Sequence, residues 1–254
     1  MLETGLVSVS FRKEKPETLI AAVKAAGLKN IEWGGDVHVP SGDLKTARRV
    51  GALTVEAGLR TSSYGSYYRL GQESEPVNAF SKVIETAKAL GAPVIRLWAG
   101  SKGSIQTPLR TRNRMAEEAR ILAEMAEEKD VILALECHQG TLTDDWKSSA
   151  EFLSQVNHSR LRMYWQPNQF RDFEYNLEAA SELAAHVVHV HVFHWDKTNR
   201  FPLKDGTSDW RMYLDIFQSN WKNDRQTRVM LLEFIHDDRL ESLPEEAAVL
   251  HSWL

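Results

Sequence analysis

Cysteine is nearly absent: the 254-residue chain has one, Cys137. That excludes an intrachain disulfide and any cysteine-rich metal site. No apolar run approaches the roughly 18 residues of a membrane span, so no membrane partner is expected. There is no basic excess either. Lys and Arg number 31 against 35 Asp and Glu, a net charge of −4, whereas proteins that grip nucleic-acid phosphates are usually basic. The opening "MLETGLVSVSFRKEKPET" lacks a basic segment followed by a long apolar stretch, so it does not read as a secretory leader and a cytoplasmic location is expected. Glycine-rich phosphate motifs are missing as well. The first apolar run is followed by "RKEKPE", without a glycine, and neither G-x-G-x-x-G nor a Walker motif occurs, so nucleotide binding has no support.

What is present is ordinary in bulk, 43% hydrophobic and 26% charged, and regular in order. Short β-rich runs alternate with longer helical patterns: "GLVSVSF", "NIEWGG", "LRTSSYG", "APVIRLWAG", "VILALECHQG", "RLRMYWQP", "HVVHVHVF" and "RVMLLEFIH" each precede an amphipathic stretch. Strands alternating with helices imply βαβ units and a parallel sheet. Eight such units in a chain of about 250 residues point to one (β/α)8 barrel over residues 1–254, with no linker or domain break.

In such a barrel the chemistry sits at the C-terminal strand ends. The unusual polar residues fall there: Glu32 and Trp33 in the second run, Arg96 and Trp98 in the fourth, Glu136 in the fifth, Gln166 and Gln169 after the sixth, His191 and His194 in and after the seventh, and Glu233 in the eighth. Strand side chains alternate between faces. Glu136 therefore ends an apolar row with Ala134 and Ile132, and Glu233 ends one with Leu231 and Val229. A bare carboxylate there would cost several kcal/mol, so each needs a cation, a proton or a strong donor. An ion pair with Arg96 is one solution. Two glutamates, a histidine and a carboxamide gathered on a divalent ion is another, and oxygen-rich donors with one imidazole suit Mn2+, Mg2+ or Co2+ ahead of Zn2+. His189 shares the face of His191 one layer deeper and is expected to pack behind the site.

The stretches "NIEWGGDVHV", "SSYGSYYRLG", "ALECHQGTLTD" and "HVHVFHWD…PLKDG" resemble the sugar isomerase/epimerase group of xylose isomerase-like TIM barrels. The resemblance runs over nearly the whole chain. It implies a metal held by Glu, Asp, His and Glu from strands five to eight, which by position are Glu136, Gln166, His191 and Glu233. Gln166 is a departure, because it stands where the family usually has Asp, and Gln169 stands where a His is usual. The site would then hold two carboxylates instead of three, and metal affinity should drop.

The expected activity is isomerisation or epimerisation of a small, sugar-like carbonyl compound. The metal would hold adjacent substrate oxygens and stabilise an enediolate, with Glu136 and Glu233 as acid/base groups. His38, Trp33, Gln169, His194 and Arg200 are the substrate-binding candidates. A dehydratase of the inosose type and a non-catalytic sugar binder with a degraded metal site are the rivals, ahead of a zinc nuclease. A homo-oligomer stays open. If His191 is a ligand, metal affinity should weaken as pH falls through about 6 to 7, the ordinary histidine range.

Overall fold

A computed structural model describes residues 1–254. The strands are β1 (Leu2–Val7), β2 (Asn30–Gly34), β3 (Arg60–Arg69), β4 (Val94–Trp98), β5 (Ile132–Glu136), β6 (Leu161–Trp165), β7 (Val187–Val192) and β8 (Arg228–Leu232). The helices are α1 (Pro16–Ala25), α2 (Leu44–Glu56), α3 (Pro76–Leu90), α4 (Leu109–Glu128), α5 (Trp146–Val156), α6 (Phe173–Leu183), α7 (Thr207–Trp221) and α8 (Leu243–His251). The strands pair in parallel in sequence order, and β8 returns to β1 to close the barrel. The expected (β/α)8 architecture is the one observed. No helix is long and apolar enough to cross a membrane.

Local chemistry sets the element ends. Pro16 and Pro76 open α1 and α3, where a missing N–H costs nothing and φ is already helical. The Asp43 carboxylate accepts from Thr46 N–H at 3.0 Å to start α2, and Asp172 accepts from Tyr175 N–H at 2.9 Å to start α6, each satisfying an orphan donor of the first turn. Two strands depart from expectation. β1 ends at Val7 and Ser8–Phe11 turns into a 3-10 helix. β3 runs on to Arg69, bending where its register on β4 shifts and Tyr67 takes φ +59°.

The period of two divides the core. Outward residues such as Ile31, Ile95, Leu133, Trp165 and Val190 join a 59-residue apolar cluster against the helices. The barrel interior holds a cluster of only eight, including Val94, Ala134, Tyr164, Val229 and Leu231. Two residues further along the same strands, toward their C-terminal ends, stand Arg96, Glu136 and Glu233. The interior thus changes from apolar to charged along the barrel axis.

Candidate functional site

Glu136 ends β5, Gln166 follows β6, His191 lies in β7 and Glu233 follows β8. All four converge. Donor atoms of Glu136, His191 and Glu233 lie within 4.8 Å of one another, and all three residues are buried. His191 Nδ1 faces the convergence: it is 2.8 Å from Gln166 Oε1, 3.5 Å from Glu233 Oε2 and 3.7 Å from Glu136 Oε1. Its Nε2 points the other way, 3.5 Å from Glu32 Oε2.

Arg96 ties this group together. Its Nε donates to Glu32 Oε1 at 2.7 Å and its Nη1 to Glu136 Oε2. Glu136 Oε2 also accepts from the Trp98 indole. The ion pair between Glu136 and a barrel arginine therefore exists, but Arg96 makes none to Glu233. Glu32 further accepts from Ser63 Oγ at 2.9 Å, and that hydroxyl lies 3.0 Å from the Tyr164 hydroxyl. Gly65 makes room for the pair, since a Cβ there would lie 2.7 Å from Arg96 Nη2 and 2.9 Å from Glu32 Oε1.

The electrostatics follow from burial and charge count. Three buried carboxylates, Glu32, Glu136 and Glu233, meet one guanidinium. Burial alone would lower His191, but the carboxylates of Glu233 and Glu32 outweigh it and raise the imidazole to about 10. Burial pushes Glu136 up, yet the Arg96 charge overrides it and holds the carboxyl down at about 2. Glu233 has no such partner, and burial with the neighbouring Glu136 charge leaves it above the usual carboxylate range despite His191. A proton on His191 thus supplies positive charge at the point where four donor groups meet. Two carboxylate oxygens, one ring nitrogen and one carboxamide oxygen at that point fit a hard divalent cation. Gln166 brings an oxygen but no charge.

Above the group opens a cleft of about 190 Å3. Tyr67, Trp98, Trp195 and Phe234 form its aromatic walls, and Arg12, His138 and Gln169 are among its polar lining. Tyr67 and Phe234 both have positive φ, +59° and +43°, uncommon for bulky residues and costly. Of the substrate-binding candidates, Gln169 reaches this cleft. Four others do not. Trp33 is fully buried on the helix side, its indole donating to Thr54 Oγ1 of α2 at 3.2 Å, because alternation turns Glu32 inward instead. His38 is buried with both ring nitrogens engaged, Nδ1 3.0 Å from Ser8 Oγ and Nε2 3.2 Å from the Glu14 carbonyl. His194 turns into a neighbouring depression beside α7, and the next residue, Trp195, reaches the cleft. Arg200 stands at the rim, paired with Asp238, its guanidinium 5.0 Å from the Phe234 ring centroid. His189 packs deeper, as expected. Its Nδ1 accepts from Val229 N–H at 3.0 Å, and burial lowers it to about 4.

Glu32, noted at its strand end, and His138 were given no role from the sequence. The alternation in "NIEWG" contained a signal for Glu32: with Ile31 and Trp33 on the helix side, Asn30 and Glu32 must face inward. His138 lies in a loop, where no periodicity assigns a direction.

Comparison with known proteins agrees with the barrel fold. The family described as xylose isomerase-like TIM barrel matches residues 20–252. A 3-dehydroshikimate dehydratase of Bacillus anthracis is 31% identical over 91 residues, spanning 33% of this chain and 32% of that relative. This chain thus covers about a third of that curated relative's length. Among solved structures, the probable 3-DHS dehydratase involved in petrobactin synthesis in Bacillus anthracis superimposes with a TM-score of 0.79 at 19% identity, over 98% of each chain. The 3-keto-D-glucoside 4-epimerase of E. coli gives 0.76 at 14% identity, over 99% of this chain and 100% of the other. A xylose isomerase-like TIM barrel protein of Mycobacterium smegmatis in complex with magnesium gives 0.72 at 15%, over 99% and 97%.

Proposed function

This chain belongs to the xylose isomerase-like TIM barrel family, and from that premise we propose that it is a metal-dependent isomerase of a small polyhydroxylated carbonyl compound, acting by removal of the proton α to the carbonyl. The observation that carries the reading is the convergence of Glu136, His191 and Glu233 at the C-terminal end of the barrel, beneath an aromatic-walled cleft. Glu136, His191, Glu233 and Gln166 would hold the ion. The magnesium complex of the Mycobacterium smegmatis relative supports a hard cation. When bound, that ion supplies positive charge beside the substrate oxygens as enediolate charge develops.

The two glutamates divide the work unequally. Both donors on Glu136 Oε2 come from fixed groups, Arg96 and Trp98, so Glu136 stays an anchored carboxylate. The Glu233 carboxyl accepts no hydrogen bond, its charged neighbour being His191 Nδ1 at 3.5 Å, and it faces the cleft. It takes the α-proton: the C–H bond breaks, its electron pair enters the new C=C bond, and the carbonyl oxygen gains the charge. Returning the proton to the neighbouring carbon, while the hydroxyl proton on that carbon passes to the former carbonyl oxygen, completes an isomerisation with one carbon base. Inversion at a single carbon normally needs an acid on the opposite face, so the asymmetry favours isomerisation over epimerisation.

A second reading, dehydration, is favoured by one feature of the cleft. His138 engages the Gln139 carbonyl through Nδ1 at 2.7 Å, which leaves Nε2 without a protein partner among the cleft-lining groups. In the imidazolium form, with Nδ1–H donating to that carbonyl, Nε2–H would protonate a departing hydroxyl after the same first step. The similarity to 3-dehydroshikimate dehydratases supports this branch. The test is incubation with Mn2+ in D2O, using a ketose panel, 3-dehydroshikimate and a 3-keto-glucoside, followed by NMR. An aldose labelled at one carbon supports the isomerase, and loss of water supports the dehydratase. Absence of turnover and of α-proton exchange on every compound would sink the catalytic reading.

A further inference from the structure

We propose that Glu32 is a positioning residue for the metal site: it fixes the tautomer of His191 and returns the negative charge that Gln166 does not bring. This rests on the metal-site reading above. The chain of observations starts at the ring. Only Nδ1 of His191 points toward Glu136, Glu233 and Gln166. To offer a lone pair there, Nδ1 must be bare and the ring proton must sit on Nε2. The acceptor facing Nε2 is Glu32 Oε2, at 3.5 Å. A carboxylate behind a ligating imidazole fixes the ring's orientation and raises its basicity.

Glu32 is built for that task. It has no solvent exposure. Arg96 holds Oε1 at 2.7 Å and Ser63 holds Oε2 at 2.9 Å, so the carboxylate cannot swing away from the ring or enter the cleft. The same Arg96 reaches Glu136, which makes one arginine the brace for both the ligand from β5 and the orienting carboxylate from β2. With Gln166 neutral, the ligands contribute two negative charges, and Glu32 places a third one imidazole ring away. In this chain the charge stands behind His191.

Two measurements test this. The first uses wild-type protein loaded with Zn2+, a diamagnetic probe, with 15N-labelled histidine. The expected result is a proton on Nε2 of His191 and a shifted, unprotonated Nδ1. The second compares Mn2+ affinity of wild type and Glu32→Gln by calorimetry, where a loss of about 10- to 100-fold is expected, against a control variant, Glu3→Gln, that retains wild-type affinity. A merely structural Glu32 would lower thermal stability without moving the tautomer or the affinity of the folded fraction. A proton on Nδ1 with Nε2 bonded to zinc overturns the proposal, as does wild-type Mn2+ affinity in Glu32→Gln. If Glu32→Gln does not fold, the wild-type spectrum decides alone. Failure of wild type to bind either ion overturns the metal-site reading and this inference together, whereas binding with the wrong nitrogen overturns this inference only.

Discussion

Outside the barrel sheet, 59 buried residues form one apolar cluster between strands and helices. Inside it, the apolar cluster has eight members, followed toward the strand ends by Glu32, Arg96, Glu136, His191 and Glu233. One sheet therefore separates two kinds of interior. The outer one is held by many interchangeable contacts, each small. The inner one is held by a few strong pairs, in which losing one member strands another as an uncompensated buried charge. The outer core can absorb change and leave chemistry alone, whereas the inner group links stability to chemistry.

The largest break of that contrast should come from Arg96→Met. It leaves Glu32 and Glu136 buried without their shared cation. Breaking a buried ion pair from one side costs about 3–5 kcal/mol, and turnover should disappear with it. Urea denaturation reads the first effect. A loss below about 1 kcal/mol would mean that the inner group is not coupled. Next comes Glu233→Gln, which keeps volume and removes basicity. Turnover should fall by about 10²- to 10⁴-fold, with a smaller loss of stability than in Arg96→Met, because the Glu233 carboxyl has one charged partner, His191 Nδ1 at 3.5 Å, and no hydrogen bond. Near-wild-type activity on an identified substrate would exclude it as the base.

Acidity sharpens the contrast further. His191 is raised to about 10 in the ion-free protein, well above the ordinary histidine range of about 6 to 7 expected from sequence. A folded-state pKa above the unfolded value means that the native state binds more protons between them. The ion-free protein should therefore lose stability as pH rises from about 6.5 toward 10. For the same reason a metal must displace a proton throughout that window. Mn2+ affinity should climb by up to about tenfold per pH unit across it, rather than level off near pH 7. Calorimetry from pH 6 to 9 checks this, and a plateau above pH 7 would show that the carboxylates do not raise His191.

The barrel was legible because alternation and helix punctuation are local signals, and eight repeats of them leave one closure. The convergence of Glu136, Gln166, His191 and Glu233 was legible for the same reason, since period two assigns each a face and strand order assigns each an end. Trp33 was misplaced although the same rule applied: facing Glu32 inward requires Trp33 to face out. His38, His194 and Arg200 follow strand ends, where loops set direction through contacts such as Ser8 Oγ on His38 or Asp238 on Arg200. The raised basicity of His191 depends on Glu233 and on Glu32, the latter 159 residues away in the chain, and no local pattern encodes that distance.

The smallest expected effect is also the cleanest probe of the division. Ile95 and Arg96 are neighbours in β4, and their side chains leave opposite faces of the sheet. Ile95 is fully buried in the outer cluster. Ile95→Val removes one methyl group there, at a cost of about 0.5–1.5 kcal/mol. The carboxylate pairs of Arg96 lie across the backbone and should not respond. Mn2+ affinity and the pH dependence of binding should match wild type, while the denaturation midpoint falls slightly. The comparison with Arg96→Met then rests on two adjacent positions that share one strand and one backbone. If Ile95→Val shifts metal affinity more than about threefold, equivalent to roughly 0.65 kcal/mol, packing against the helices reaches the site through the sheet. The barrel would then be one coupled interior and not two.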